Sequence, residues 1–152
     1  MTPNKSTPFA ALVIKPGTFT IERVEIDSAG DGAPAVHELI GGYFTSCFAV
    51  PGSSPRRQLV GYCDDDGLLH DAPACVYVGD TLRRSPEIIV GPVVIMAHIA
   101  PDTRSMTELE LSAFHLVPDE AFARQLRAAE PNAANMLRGL VPRLVFTPGY
   151  DV

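Results

Sequence analysis

The residues of this chain that are best suited to chemistry lie between positions 63 and 75, where two cysteines flank an adjacent His70 and Asp71. A cysteine nucleophile needs an imidazole within hydrogen-bond reach and a third group that orients the imidazole. His70 and Asp71 could therefore serve Cys63 or Cys75 in a small hydrolase or transferase that acts on a nucleotide-like substrate. In an extended segment, however, adjacent side chains point to opposite faces, and the cysteines would be inert and buried. The residues of this enzymatic interpretation are His70, Asp71, Asp64 and Asp66.

Three consecutive acids, Asp64–Asp66, precede Gly67. A calcium-binding EF-hand needs ligands at alternating positions and a bidentate glutamate six residues after its glycine. That position is Pro73, so the sequence excludes an EF-hand. The triplet favours a solvated turn between two strands, and a weak surface site for a divalent cation is the alternative.

His98 and His115 fall on the two most apolar predicted strands. If those strands pair, the two imidazoles would form a metal-binding face. No carboxylate or cysteine has the spacing that completes a zinc site with them, and a histidine at a strand end more often makes a single hydrogen bond. The sequence also lacks the phosphate-binding patterns G-x-x-x-x-G-K-S/T and G-x-G-x-x-G. We therefore expect no metal and no cofactor.

Two arginine pairs and one glycine-rich corner are candidates for binding. Each arginine pair lies beside Ser and Pro in a predicted loop, where two guanidinium groups could bind a phosphate or the carboxylates of a partner. Solvated loop charges are the simpler interpretation. Gly41 suits the left-handed position after a helix, and the small residues beside Tyr43 leave space for a ligand or partner. The candidate binding residues are Gly42, Tyr43, Arg56, Arg57, Arg83 and Arg84.

The composition is that of one soluble domain spanning residues 1–152. Of the 152 residues, 46% are hydrophobic and 20% are charged, which is enough apolar surface to fill a core. The net charge of −6 repels the phosphate backbone of a nucleic acid. The three cysteines form no C-x-x-C pair, and no signal segment or apolar run of about 20 residues is present. We expect a cytoplasmic protein that binds neither nucleic acid nor membrane.

Alternation of apolar and polar residues predicts an α+β fold with a mixed, mostly antiparallel sheet of about five to seven strands. Pro34 suits a first helical turn, and Gly41 and Gly42 would end that helix. The predicted elements of the amino-terminal half are a hairpin at 9–14 and 18–26, a short helix at 34–40, and paired strands at 43–50 and 58–63.

The carboxy-terminal half is predicted to add further strands and then one or two helices that pack on a single face of the sheet. The apolar run 88–99 predicts one buried strand with a bulge or an edge position at Gly91-Pro92, because proline cannot donate to a strand ladder. The other predicted elements are strands at 76–78 and 107–117, a helix at 119–130, a short helix after Asn132, and an irregular or extended piece from Pro142 to Val152.

Three short strings carry a resemblance to a known family: Leu39-Ile40-Gly41-Gly42-Tyr43, Asp66-Gly67-Leu68, and Ile89-Val90-Gly91-Pro92-Val93-Val94-Ile95. Through them the chain resembles the uncharacterised family catalogued as domain of unknown function 3846, which occurs in actinobacterial phages, plasmids and related mobile elements. The resemblance covers residues 10–111, a sheet-rich core, and leaves 118–152 as a helical extension. It implies an accessory protein of a phage or mobile element and carries no activity with it.

Residues and resemblance together predict a non-catalytic binding protein in the cytoplasm of the host cell. It would modulate host physiology or defence by binding a host protein or by sequestering a small anionic ligand. The sequence is also compatible with a homodimer. The enzymatic interpretation is the alternative. A pocket where a histidine and two carboxylates converge would favour the enzyme, whereas an exposed apolar or arginine-rimmed patch would favour the binding protein.

Overall fold

The computed structural model describes residues 7–18, 20–51, 56–66, 74–79, 87–99, 102–118, 121, 124, 128 and 141–147. Among these residues, ten strands, two α-helices and one 3-10 turn are described from end to end. In chain order the elements are β1 (Phe9–Ile14), β2 (Glu22–Ile26), the 3-10 turn (Ala29–Gly32), α1 (Ala33–Ile40), β3 (Phe44–Pro51), β4 (Arg57–Asp64), β5 (Ala74–Val78), β6 (Glu87–Val90), β7 (Val93–Ile99), β8 (Asp102–Arg104), α2 (Glu108–Leu111), β9 (Phe114–Pro118) and β10 (Pro142–Phe146).

The described strands form two sheets. The large sheet has the order β2-β1-β7-β4-β3, and β8 pairs with the end of β7. The small sheet has the order β6-β5-β10-β9. Among these described pairings only β5 with β10 is parallel. The mostly antiparallel α+β class is therefore confirmed, but the prediction of a single sheet is wrong.

The apolar run at 88–99 divides between the two sheets, and it does so at Gly91-Pro92. β6 pairs with β5 in the small sheet, whereas β7 lies between β1 and β4 in the large sheet. Gly91 has a φ of +74°, which a glycine adopts readily, and Pro92 has no N–H to donate. The prediction of one strand with a bulge or an edge position is therefore wrong, because these two residues turn the chain from one sheet into the other.

The segment predicted as a strand at 107–117 begins as a helix. Thr107 caps α2: its side chain accepts a hydrogen bond from the Glu110 N–H, and the Glu110 carboxylate accepts one from the Thr107 N–H. This reciprocal arrangement is a capping box. The strand β9 starts only at Phe114. A single helical turn is too short to show a helical period, and this is why alternation alone predicted a strand.

The hydrophobic core has two layers, one on each face of the large sheet. Between the two sheets lie side chains that include Leu12, Ile14, Val76, Val78, Ile95 and Leu144. On the other face, α1 packs Val36 and Ile40 against Val13 and Val94. The alternation along β1 and β7 supplies both layers, because successive side chains of a strand point to opposite faces.

The helix α1 follows the sequence prediction closely. Pro34 lies in its first turn, and Gly41, with a φ of +88°, ends it in the left-handed conformation. The N–H of Gly41 donates to the carbonyl of His37 at 2.8 Å. The prediction that glycine ends this helix is confirmed.

The carboxy-terminal helices stay predictions. Of the helix predicted at 119–130, only Ala121, Arg124 and Ala128 are described, and these three are helical and exposed. The short helix expected after Asn132 lies outside the described residues. The late extended piece is confirmed as β10. Within the described part of the chain, no helix combines the length and the apolar character that crossing a membrane requires.

Candidate functional site

One end of the large sheet brings together residues that the sequence analysis treated separately. The carboxy-terminal end of α1, the start of β3 and the end of β4 meet there, since Phe44 pairs with Asp64. The N–H of Asp65 donates to the carbonyl of Tyr43 at 3.0 Å. A Cβ atom added at Gly42 would lie 3.9 Å from the Asp64 carboxylate. We call this place, residues 41–43 with 64–66, the Tyr43 corner.

Tyr43 is the exposed feature of the corner. It is 76% exposed, and its ring contacts the His37 ring edge to face, with 5.5 Å between the centroids. The adjoining acids form the turn that the sequence predicts: the Asp64 carboxylate accepts a hydrogen bond from the Asp66 N–H at 2.9 Å. Asp65 is exposed and Asp66 is half-buried. The corner therefore presents an aromatic ring beside carboxylates.

A groove of about 360 Å³ adjoins the acidic turn, between β3 and β4 of the large sheet and β6 of the small sheet. The described residues that line it are Thr45, Cys47, Cys63, Asp64, Asp65, Asp66, Glu87, Ile88, Ile89 and Val90. Two cysteines thus line the same space from adjacent strands. Within the described ranges, no three His, Cys, Asp or Glu side chains are arranged to hold a metal ion.

A bulge in β3 sets the position of Cys47. The register with β4 shifts between Ser46 and Phe48, so Cys47 is the extra residue on this strand. The Phe48 ring lies over Gly61, where an added Cβ would overlap it. The Cys47 thiol donates to the carbonyl of Gly61 at 3.3 Å. The absence of a side chain at Gly61 therefore makes room for Phe48, and the bulge places Cys47 on the groove.

The two described arginines predicted for binding, Arg56 and Arg57, lie away from the Tyr43 corner. Arg57 begins β4, at the opposite end of the β3–β4 hairpin from the Tyr43 corner, and is 9% exposed. Its Nε lies 2.7 Å from Oε1 of Glu110, which is fully buried, and its guanidinium also donates to the carbonyl of Ser105. The prediction that Arg57 is a loop charge is wrong, because a buried carboxylate holds it inside the fold. Arg56 is exposed, and Arg83 and Arg84 lie outside the described residues.

The two histidines considered for a metal belong to different sheets. His98 lies on β7, whereas His115 is exposed on β9, and these strands do not pair. The His98 ring nitrogens lie 2.8 Å from the Tyr62 hydroxyl and 3.1 Å from the Thr103 hydroxyl. Burial lowers the pKa of His98, and the nearby charge of Asp31 partly offsets this. His98 is therefore a hydrogen-bonded histidine whose neutral form is favoured by burial.

Of the residues in the enzymatic interpretation, Cys63, Asp64 and Asp66 line the groove, whereas Cys75 does not. Cys75 is 1% exposed, its thiol donates to the carbonyl of Ile14 at 3.4 Å, and burial raises its pKa to about 12. A thiol with so high a pKa is not a nucleophile at neutral pH. His70 and Asp71 lie outside the described residues.

Sequence reasoning missed the buried Arg57–Glu110 pair and the groove. The sequence does contain a signal for the role of Glu110 in capping α2, since Thr107-x-x-Glu110 has the spacing of a capping box. No local signal marks the groove, because its walls come from strands of two different sheets.

The family described as "Domain of unknown function (DUF3846)" matches residues 9–115, more than half of the chain, and the chain is a member of this family. The matched residues include the Tyr43 corner and every described residue that lines the groove. No curated protein and no solved structure matches the chain.

Proposed function

We propose that this protein is a non-catalytic binding protein, an accessory factor of a phage or mobile element that binds a host protein through the Tyr43 corner. Such binding would modulate host physiology or defence. The observation that carries the proposal is the exposure of the Tyr43 ring on a firmly held backbone. The phage or mobile-element origin is supported by the family resemblance of the sequence.

Tyr43 stands out among the described large apolar residues. Its exposed fraction of 76% exceeds that of Leu109 and of Val117, at 47% and 39%. Tyrosine is enriched among the residues that dominate binding energy at protein interfaces. The main chain of Tyr43 is held on one side by the end of α1 and on the other by the hydrogen bond from the Asp65 N–H. Because this part of the surface is already ordered, binding a partner there would cost little conformational entropy.

The charge of the corner favours a basic protein surface over a small anionic ligand. Asp64, Asp65 and Asp66 lie next to the Tyr43 backbone, and the whole chain has a net charge of −6. Carboxylates repel an anion but form charge-assisted hydrogen bonds with Lys and Arg. The face of a tyrosine ring also attracts these cations. Of the two partner classes expected from the sequence, the host protein is therefore the better supported.

Tyr43→Ala tests the proposal. The variant should lose a host protein that the unchanged chain retains, because truncating a tyrosine that is a hot spot of an interface costs about 2 kcal/mol or more, roughly a 30-fold loss of affinity. The measurement is affinity capture from host lysate, followed by titration of the captured protein in isolation. Raising the salt concentration should weaken the complex, since the contact includes exposed charges.

Leu109→Ala is the matched control, because it removes another exposed apolar side chain away from the corner. It should bind the partner as the unchanged chain does. The proposal is wrong if Tyr43→Ala retains every partner with unchanged affinity, or if the retained molecule proves to be a small anion.

A further inference from the structure

Among its described lining residues, the groove beside the Tyr43 corner has uncharged side chains on both walls. From the large sheet it receives Cys47 and Cys63, and from the small sheet Ile89 and Val90, which are 3% and 7% exposed. Its volume of about 360 Å³ lies at the small end of ligand pockets, which span about 300–1,000 Å³. A small space between apolar walls can accept an unbranched aliphatic chain.

Carboxylates form the rim of the same groove. Asp65 is exposed and Asp66 is half-buried, and both line the groove from the turn after β4. Glu87, which is also exposed, lines it from the start of β6. Among the described lining residues, the charges are therefore concentrated at the solvent side, whereas the interior is apolar.

A groove with a charged rim and an apolar interior favours some occupants over others. An anion would be repelled by Asp65 and Asp66. A purely apolar occupant would cover these carboxylates without replacing the hydrogen bonds that water provides, which costs free energy. A lysine side chain meets both requirements, because its methylene stem packs along apolar surface while its ammonium group stays at the charged rim.

We infer that this groove binds a lysine side chain of the partner protein. The inference rests on the proposed function, since the groove and the Tyr43 corner share the Asp64–Asp66 turn. It adds a specific element to that function: the partner inserts a lysine between the two sheets while its adjoining surface covers the Tyr43 ring.

The thiols of the groove allow a direct test on the full chain. Methanethiosulfonate reagents convert a cysteine into a mixed disulfide and release methanesulfinate, so they report access and local charge at Cys47 and Cys63. Relative to their rates with free cysteine, the aminoethyl reagent should react about tenfold faster than the sulfonatoethyl reagent, because carboxylates concentrate cations nearby. Mass spectrometry of digested protein gives the rate at each thiol.

Two comparisons sharpen the test. Asp65→Asn combined with Asp66→Asn should abolish the preference for the cationic reagent, whereas Glu22→Gln combined with Glu25→Gln, an equal loss of charge on β2, should leave it unchanged. Nα-acetyl-lysine amide should slow the modification of the unchanged chain. Nα-acetyl-norleucine amide, which has the same stem without the charge, should not.

Equal rates with the two reagents, no reaction at either thiol, or equal protection by the two amides would overturn the inference. These results are independent of Tyr43. If lysine fails to protect but Tyr43→Ala still loses the partner, the proposed function stands and the groove assignment falls. If lysine protects but Tyr43→Ala keeps every partner, the groove binds lysine and the corner is not the interface.

Discussion

Glu108 and Glu110 are separated by one residue in α2, yet their surroundings differ completely. Glu110 is fully buried and paired with the buried Arg57, whereas the side chain of Glu108 is 79% exposed and pairs with the exposed Arg23. Removing one partner of a buried pair leaves an uncompensated charge. Glu110→Ala should lower the free energy of unfolding by about 3–5 kcal/mol, and Glu108→Ala by less than about 1 kcal/mol, as measured by urea denaturation.

Replacing both partners separates the loss of the pair from the cost of leaving one charge behind. Arg57→Met combined with Glu110→Leu should be less destabilised than either Arg57→Met or Glu110→Leu alone, because apolar side chains of similar volume often substitute well for a buried ion pair. Equal destabilisation by Glu108→Ala and Glu110→Ala would contradict this account.

For single residues, the sequence predicts features that depend on neighbouring residues, but it does not predict which charged residues are buried. The left-handed glycine after α1 follows from Pro34 and Gly41 within one short segment. Arg57 was predicted as a loop charge because its neighbours in sequence are typical of loops, whereas the residue that buries it is 53 positions away. A contact of that range depends on how β4 and α2 pack, and no local pattern encodes it.

At the scale of single elements, the β3–β4 hairpin depends on the fit of Phe48 over Gly61. Gly61→Ala should lower the free energy of unfolding by about 1–3 kcal/mol, because the added Cβ overlaps the aromatic ring of a packed side chain. Gly79→Ala is the matched control: no described residue lies within 4 Å of its added Cβ, and its effect should stay within about 0.5 kcal/mol. Thermal melts of the two variants give the comparison.

A double-mutant cycle checks the cause. In a Phe48→Leu background, Gly61→Ala should cost less than in the unchanged chain, because the smaller side chain can move away from the added methyl group. The fit of Phe48 over Gly61 would not be the reason for the glycine if the two costs were equal.

The elements that were predicted correctly are those set by neighbouring residues. The two hairpins, β1–β2 and β3–β4, pair segments that are close in sequence, and α1 is a single short segment. The predicted pairing of 43–50 with 58–63 already implied that Tyr43 lies near Asp64, and the two halves of the candidate site could have been joined on that ground. The division at Gly91-Pro92 could not be predicted, because both strands beside it are equally apolar.

For the whole molecule, Cys75 connects the two sheets through its hydrogen bond to Ile14 and gives the fold a dependence on alkaline pH. Burial raises its pKa from 9.0 to about 12. Above pH 9 the unfolded chain releases this proton while the folded chain retains it, so stability should fall as the pH rises from about 9 towards 12. Cys75→Ala should reduce this slope, as measured by urea denaturation at several pH values.

Tyr62 acts in the same direction, since burial also raises its pKa above the ordinary value of 10.0. Some alkaline loss should therefore remain in Cys75→Ala. Identical slopes in the unchanged chain and in Cys75→Ala would show that the thiol is not the group responsible.

The position of β10 sets an order of events during synthesis. β10 lies between β5 and β9, hydrogen-bonded to both, and it is the last described strand along the chain. Every described strand of the large sheet is available once Arg104 has left the ribosome, and amino-terminal segments emerge first. In the small sheet, by contrast, β5 and β9 cannot be joined until residues 142–146, which form β10 between them, have been translated. A nascent chain should therefore complete one sheet well before the other.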